Sequence, residues 1–257
     1  MTPAASPLVS VVLIGYKRPD QLKQTVESLL DTVDYEPLEL ILADDCSPEA
    51  LREPMRRLPF DRFVFADRNR GLGANTNAGL NASRGKYVLQ LQDDWLCTGP
   101  PDFLSRAVQL CESRPSVGIV RFTRRFGPDF DLLPPYARME GDTDVLLFPT
   151  DRKSPFFLYS DQPHLKSRRF IDFIGPYKES RNMQTTEIDM RRRFNRQDYF
   201  EAAFVEGYHA FEHIGEEVSL NVPRLSARLG AKMDRTPLLR TLAASFRSLR
   251  GRIGQRP

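Results

Sequence analysis

Val9-Ser-Val-Val-Leu-Ile14 is a short, β-branched run without regular polar alternation, the pattern of a strand buried on both faces. From Pro19 the period changes: Leu22, Val26, Leu29 and Leu30 fall on one face and predict a helix. Leu38 to Ala43 reads as a second strand and runs into Asp44-Asp45-Cys46-Ser47-Pro48, where Ser47 and Pro48 suit the N-cap and first turn of a helix reaching about Arg57. Phe63 to Ala66 predicts a third strand, Ala74 to Ser83 a helix closed by Gly85, and Lys86 to Gln92 a fourth strand. Strands alternating with helices over short connections predict an α/β fold: a Rossmann-type, mostly parallel sheet with helices on both faces. Such sheets bind ligands beyond the carboxyl ends of their strands. Here those ends carry Gly15-Tyr16-Lys17-Arg18, Asp44-Asp45 and Gln92-Asp93-Asp94.

After a fifth strand near Val117 to Phe122 the pattern loosens. Gly127 to Pro135 and Pro149 to Pro163 read as loops, and His164 is placed in a loop. A helix is predicted from Thr185 or Thr186 to about Arg196, and a strand from Ala202 into the His209 to His213 region. Near the C-terminus Leu239, Leu242, Phe246, Leu249 and Ile253 repeat at helical spacing with Arg between them, predicting an amphipathic basic helical tail. It suits an anionic membrane surface, a partner groove, or docking on the acidic body of the same chain.

Composition narrows the class. With 40% hydrophobic and 28% charged residues, the 257-residue chain can bury a substantial core, which excludes general disorder. No apolar stretch approaches the ~20 residues needed to cross a bilayer. The run Leu8 to Ile14 is interrupted by Ser10 and follows no basic residue, so no signal peptide is expected. Cys46, Cys97 and Cys111 form no C-x-x-C, which argues against a disulfide framework or a cysteine zinc site and for a cytoplasmic protein. The net charge of +3 hides an asymmetry: residues 223–257 carry +8, leaving −5 for the rest. An anionic partner for the tail follows; a nucleic-acid partner is not expected.

Two carboxylate pairs at neighbouring strand ends would repel each other without a cation or hydrogen-bond donors. Hard oxygen ligands in that position suit Mg²⁺ or Mn²⁺ carrying a diphosphate. Four segments then add a resemblance. Val11 to Pro19, Leu42 to Ser47, Asn69-Arg-Gly-Leu-Gly-Ala-Asn-Thr-Asn77 and Gly85 to Leu96 resemble, in order and spacing, the family-2 glycosyltransferases of GT-A fold. The resemblance covers residues 8–120 well and 165–220 more loosely. It implies that residues 1–120 bind a nucleotide sugar and that 121–222 bind the acceptor and carry catalysis, with 223–257 as the tail. It also implies donor contacts from Gly15, Tyr16, Arg18, Asp44, Asp45, Asn69, Gln92 and Asp93, with Tyr16 stacking on the base and Asp44 and Asp45 meeting base or ribose. Asp94 would bind the metal. The family's D-x-D reads Gln92-Asp93-Asp94 here, so a further ligand is needed; His213, in the segment ending His-Ile-Gly215, matches the family's late metal-binding histidine. Imidazole beside carboxylate and phosphate oxygens favours Mn²⁺ over Ca²⁺.

For the acceptor's proton, the segment Thr186-Glu187-Ile-Asp189-Met190 matches the family's base at Glu187, with Asp189 in reserve. The expected activity is inverting transfer from a UDP or dTDP sugar to a hydroxyl of a lipid-linked or cell-surface glycan, at the inner face of the membrane. Two rivals stand beside it. His209-x-x-Glu212-His213 matches the H-x-x-E-H of a zinc peptidase, which requires a helix. Gln92 in place of an acid allows a protein that binds nucleotide sugars without turnover. Gly71-x-Gly73 does not follow the first strand and lacks the third glycine, so a dinucleotide fingerprint is rejected.

Overall fold

In the computed structural model, which describes residues 8–122, 137–139, 142–148, 159–205 and 209–215, the first apolar run forms β1 (Val9–Gly15), buried at every position. It lies between β2 (Leu38–Asp44) and β4 (Tyr87–Gln92), parallel to both. Gly15 pairs with Asp44 and Ile14 with Gln92, so three candidate site segments leave the sheet at one level. On the far side of β2 lies β3 (Arg62–Phe65), also parallel. Beyond β4 comes β9 (His164–Ser167), antiparallel to β4 and to β6 (Val117–Arg121). The sheet then continues through β10 (Glu201–Val205), β8 (Asp142–Phe148) and β7 (Ala137–Met139). Seven of these nine strands run one way and β8 and β9 run the other, giving the mostly parallel GT-A sheet that was expected.

Alternation along β1 divides two cores. Val11 and Leu13 pack against Leu22, Val26 and Leu29 of α1 (Pro19–Thr32), Met55 of α2 (Glu49–Arg56) and Leu104 of α4 (Phe103–Ser113). Val12 and Ile14 face Leu80 of α3 (Leu72–Ala82), Phe170 of α5 (Arg168–Ile174) and Met190 and Phe194 of α6 (Met183–Arg196). Both faces are therefore covered. Each of these fully buried Leu or Phe side chains is worth about 2–5 kcal/mol against truncation to Ala.

Several elements differ from the expectation. The strand predicted from Ala202 to His213 is two: β10 in the main sheet, and β11 (Phe211–His213) paired antiparallel with β5 (Trp95–Cys97), with Gly207 between them in the sequence. His164 is not a loop residue; it opens β9 and is fully buried. Its alternation was illegible because His164 and Lys166 are buried polar residues in a strand of four. Helix α6 starts at Met183, two or three residues earlier than expected, because Asn182 caps it, accepting from Gln184 N at 2.9 Å and Thr185 N at 3.4 Å. The predicted loop over 127–135 and the tail helix lie outside the described residues.

The loop before α3 meets the chain leading into α6 at close quarters. Gly71 has φ +89°, and a Cβ there would lie 2.2 Å from Ser180 O; at Gly73 it would lie 2.2 Å from Lys178 O. Both glycines are therefore required by packing, and Gly71 by its left-handed backbone as well. Asn77 and Tyr177 exchange hydrogen bonds: Asn77 Nδ2 donates to Tyr177 O at 2.9 Å, and Tyr177 N donates to Asn77 Oδ1 at 2.8 Å.

Candidate active site

The turn after β1 is fastened to the turn after β2. Lys17 takes a left-handed conformation, φ 61°, and its N–H donates to Ser47 Oγ at 2.8 Å. Ser47 in turn donates through N–H and hydroxyl to Asp44, which is fully buried and also has Arg52 Nε 3.5 Å away. Cys46 is left-handed too, at φ 67°. Non-glycine residues hold that shape only where surroundings enforce it. Here the two turns aim Tyr16 and Asp45 beyond the sheet.

Asp45 accepts from the backbone N–H groups of Arg70 and Gly71, each at 2.8 Å, and Asn69 Nδ2 reaches Asp45 O at 3.4 Å. The first acidic pair thus divides: Asp44 braces the turns, and Asp45 clamps the start of α3. Asp45 also lines a cavity of about 550 Å³ at the ends of β2 and β3, together with Phe65, Asp67, Arg68, Arg70 and Asn75. That volume suits a nucleoside-sized group. Of these lining residues the sequence reading named Asp45 alone. The missed signal was position, since Ala66-Asp-Arg-Asn-Arg70 directly follows the carboxyl end of a predicted parallel strand.

The second pair is drawn together by a cation. Arg18 Nη1 lies 2.6 Å from Asp94 Oδ2 and 3.4 Å from Asp93 Oδ1, and Asp93 Oδ2 accepts from Tyr16 N at 3.0 Å. Burial is the largest influence on Asp93 and raises its carboxyl to about 7; the Asp94 charge adds to this, while Tyr16 N–H and Arg18 oppose it. The β5/β11 pair sets His213 opposite Trp95, their rings 4.9 Å apart, and Ile214 N donates to Asp94 O at 2.9 Å. His213 Nε2 consequently comes within 3.3 Å of Asp94 Oδ2. Asp94 Oδ1 is buried and has no hydrogen-bond partner among the described residues. An orphaned carboxylate oxygen beside an imidazole nitrogen fits a divalent cation. Among the described residues no three His, Cys, Asp or Glu groups form a closed metal cage, so further ligands would come from a bound molecule or water.

Glu187 and Asp189 leave α6 in different directions. Glu187 pairs with Arg191, whose Nε donates to Tyr159 O at 3.3 Å. Its charge is felt by Arg121, at the end of β6, and by buried Asp161. Asp189 instead pairs with Arg193 at 2.9 Å, and Arg193 is spent on the carbonyls of Ile174 and Pro176. Glu187 thus faces charges that include Arg121 at the end of β6, whereas Asp189 is tied through Arg193 to the 174–176 segment. The H-x-x-E-H reading fails on geometry: residues 209–215 contain a strand and no helix, so the one-face arrangement that motif needs is not formed.

Acidic strand ends, a clamped glycine loop and a histidine returned to the second acidic pair thus gather on one α/β sheet. The family model for glycosyl transferase family 2 matches residues 10–201, and the chain belongs to that family. A curated relative, the succinoglycan biosynthesis protein ExoO of Rhizobium meliloti (strain 1021), is 32% identical over 109 residues, covering 42% of this chain and 30% of its own length. The chain therefore spans less than a third of that relative. Among solved structures, S. aureus TarS 1-349 in complex with UDP-GlcNAc superposes with a TM-score of 0.58 at 14% identity, over 81% of this chain and 60% of that one. The Pyrobaculum calidifontis mannosyltransferase PcManGT, in complex with GDP-Man and Mn²⁺, gives 0.58 at 17% identity, over 79% and 55%. At these identities the likeness establishes the shared fold.

Proposed function

We propose that this chain is an inverting glycosyltransferase that moves a sugar from a UDP or dTDP donor to a hydroxyl of a cell-surface or lipid-linked glycan. The observation that carries this reading is the convergence of Arg18, Asp93, Asp94 and His213 beyond the end of β4, on the same sheet level as the ends of β1 and β2, where Asp45 lines its cavity. The nucleoside occupies the cavity, with Tyr16 against the base and Asp45, Asn69 and the 67–70 loop around base and ribose. Asp44 acts from behind by bracing both turns. Gln92 and Asp93 face the donor sugar, with Gly15 allowing close approach.

Asp94 and His213 would hold Mn²⁺ or Mg²⁺, whose contribution is Lewis-acid neutralisation of the departing diphosphate. Arg18, already at Asp94, adds a second positive charge for the same oxygens. Glu187 takes the acceptor's hydroxyl proton as its oxygen attacks the anomeric carbon, and the bond from that carbon to the diphosphate oxygen breaks in the same displacement, through an oxocarbenium-like state. Arg191 keeps the Glu187 carboxylate oriented. Residues 223–257 would keep the protein at an anionic membrane surface, beside its acceptor.

A thermal-shift panel of UDP, dTDP and GDP sugars, with and without Mn²⁺, tests the donor assignment, because a ligand of the native state raises Tm. Stabilisation by a UDP or dTDP sugar that disappears with EDTA is expected. No response to any sugar nucleotide would overturn the reading. Donor binding without transfer to any glycan acceptor or to water would mark the chain as a binding protein.

A further inference from the structure

Asn75, on α3, is 4% exposed and uses only half of its amide. Its Nδ2 donates to Ala43 O at 2.9 Å and to Gly15 O at 3.3 Å, at the ends of β2 and β1. Both partners are carbonyl oxygens, so the nitrogen must face them and Oδ1 is turned away. Oδ1 is buried and has no hydrogen-bond partner among the described residues. Tying two carbonyls together requires a donor group alone, so the oxygen is surplus to that bracing. An unmet buried acceptor costs stability and calls for an explanation.

The explanation lies in the cavity that Asn75 shares with Asp45. Val64 and Phe65 from β3, Ala66, and Ala74 and Ala78 from α3 form the apolar part of its lining. Such a wall suits a flat ring and would leave ribose hydroxyls without partners. Asp45 is already engaged, since each of its carboxylate oxygens accepts a backbone N–H, from Arg70 and from Gly71. Asp67 and Arg68 also line the cavity, and both are exposed side chains. Side chains of that kind change rotamer readily when a ligand enters.

A buried acceptor selects a ring N–H. Uracil, thymine and guanine carry one on their pairing edge. Cytosine and adenine carry a lone pair there, which would set two acceptors against each other. We propose that Asn75 is a specificity-determining residue for the donor's base: Oδ1 accepts the ring N–H of uracil or thymine once Asp67 and Arg68 have moved aside, and the same contact rejects cytidine and adenosine donors. The inference rests on the reading that this cavity holds the donor's nucleoside.

The test is calorimetric titration of the full chain, at fixed Mn²⁺, with UDP, CDP, 2′-deoxy-UDP and 3-methyl-UDP, in which a methyl group replaces the ring proton. UDP is expected to bind at least about tenfold more tightly than CDP and 3-methyl-UDP. In Asn75→Ala both preferences should shrink by about tenfold, with UDP weakening and CDP changing little. A purely bracing role would weaken every nucleotide alike, and unchanged ratios overturn the inference. Loss of a preference for UDP over 2′-deoxy-UDP in their place also overturns it, assigning the oxygen to a ribose hydroxyl. If Asn75→Ala does not fold, Asn75→Ser, whose hydroxyl can still donate to a strand-end carbonyl, carries the same comparison. Equal binding of UDP and 3-methyl-UDP by the parent overturns the inference without any variant. In each of these outcomes UDP binds and the donor reading stands. Failure of the parent to bind any of the nucleotides overturns that reading instead.

Discussion

Arg18 Nη1 stands 2.6 Å from the same Asp94 oxygen, Oδ2, that His213 Nε2 approaches at 3.3 Å, while Asp94 Oδ1 is buried with no hydrogen-bond partner among the described residues. The protein therefore supplies its own cation to one edge of the carboxylate and leaves the other edge for a ligand. Removing that guanidinium leaves two adjacent buried carboxylates uncompensated, which is costly. Arg18→Gln should melt lower than the parent without metal, by about 2–4 °C for each kcal/mol lost. It should also show a larger rise in Tm on adding Mn²⁺. Differential scanning calorimetry with EDTA and with Mn²⁺ decides this; an equal or smaller Mn²⁺ response would remove Arg18 from the metal's surroundings.

Asp94→Ala and His213→Ala should each weaken Mn²⁺-dependent nucleotide binding by at least about tenfold, the scale of a lost metal contact. The matched control is His209→Ala, an exposed position. His164 would be a poor control because that ring is fully buried and its loss would disturb β9. Calorimetric titration with UDP at fixed Mn²⁺ gives the comparison, and unchanged affinity in both variants would move the metal elsewhere.

Glu187→Gln keeps the shape of the side chain and loses the proton acceptor. Turnover should fall roughly 10²-fold or more, with donor affinity close to normal. Asp189→Asn should cost less than about 1 kcal/mol of stability, the usual worth of a part-exposed helix pair, and leave turnover intact. Steady-state rates and urea melts of the two variants separate the roles. Loss of turnover in Asp189→Asn alone would reverse them.

The first half of the fold was legible because its strands are continuous apolar runs and its helices keep one face, as in Val9 to Ile14 followed by Leu22, Val26 and Leu29. The carboxyl-edge placement of Asp45, Asp93 and Asp94 followed from that order. What escaped the sequence was built from buried polar groups. His164 and Lys166 sit inside a strand, Tyr159, Asp161 and Tyr177 form a core network, and hydrophobic periodicity is blind to both. The three-residue strands β5 and β11 are too short to show a period, yet they carry His213 to Asp94. Helix α4 does keep a clear apolar face, Phe103, Leu104, Ala107, Val108 and Cys111, at helical spacing.

Burial lowers Lys166 to about 7 from its ordinary 10.5. Between those values the unfolded chain holds the extra proton, so stability rises with pH across that window, by at most about 1.4 kcal/mol per pH unit. Below about 7 both states are protonated and the full cost of burying the ammonium is present. Lys166→Met should lack this rise. Urea unfolding of both proteins at pH 7, 8, 9 and 10 measures it; parallel pH profiles would mean that Lys166 keeps its proton in the fold.

Residues 223–257 carry +8, and each basic residue near an anionic leaflet contributes about 1 kcal/mol. The full chain should float with anionic liposomes, release at high salt, and ignore neutral lipid. A chain ending at Val222 should not float. Equal behaviour of the two would assign the tail to another partner.

The contact of Gly71 and Gly73 with Ser180 and Lys178, together with the Asn77–Tyr177 exchange, has a bearing on descent and engineering. At Gly71 and Gly73 the stretch that grips Asp45 comes up against the backbone of the stretch that leads to Glu187, and at Asn77 a side-chain amide is bonded to that backbone, so there is little room to absorb a change. Residues 71–77 and 177–180 therefore form one packed seam. A chimera joined between these two segments should therefore be less stable than one whose junction carries both from one parent, a difference that urea unfolding would measure.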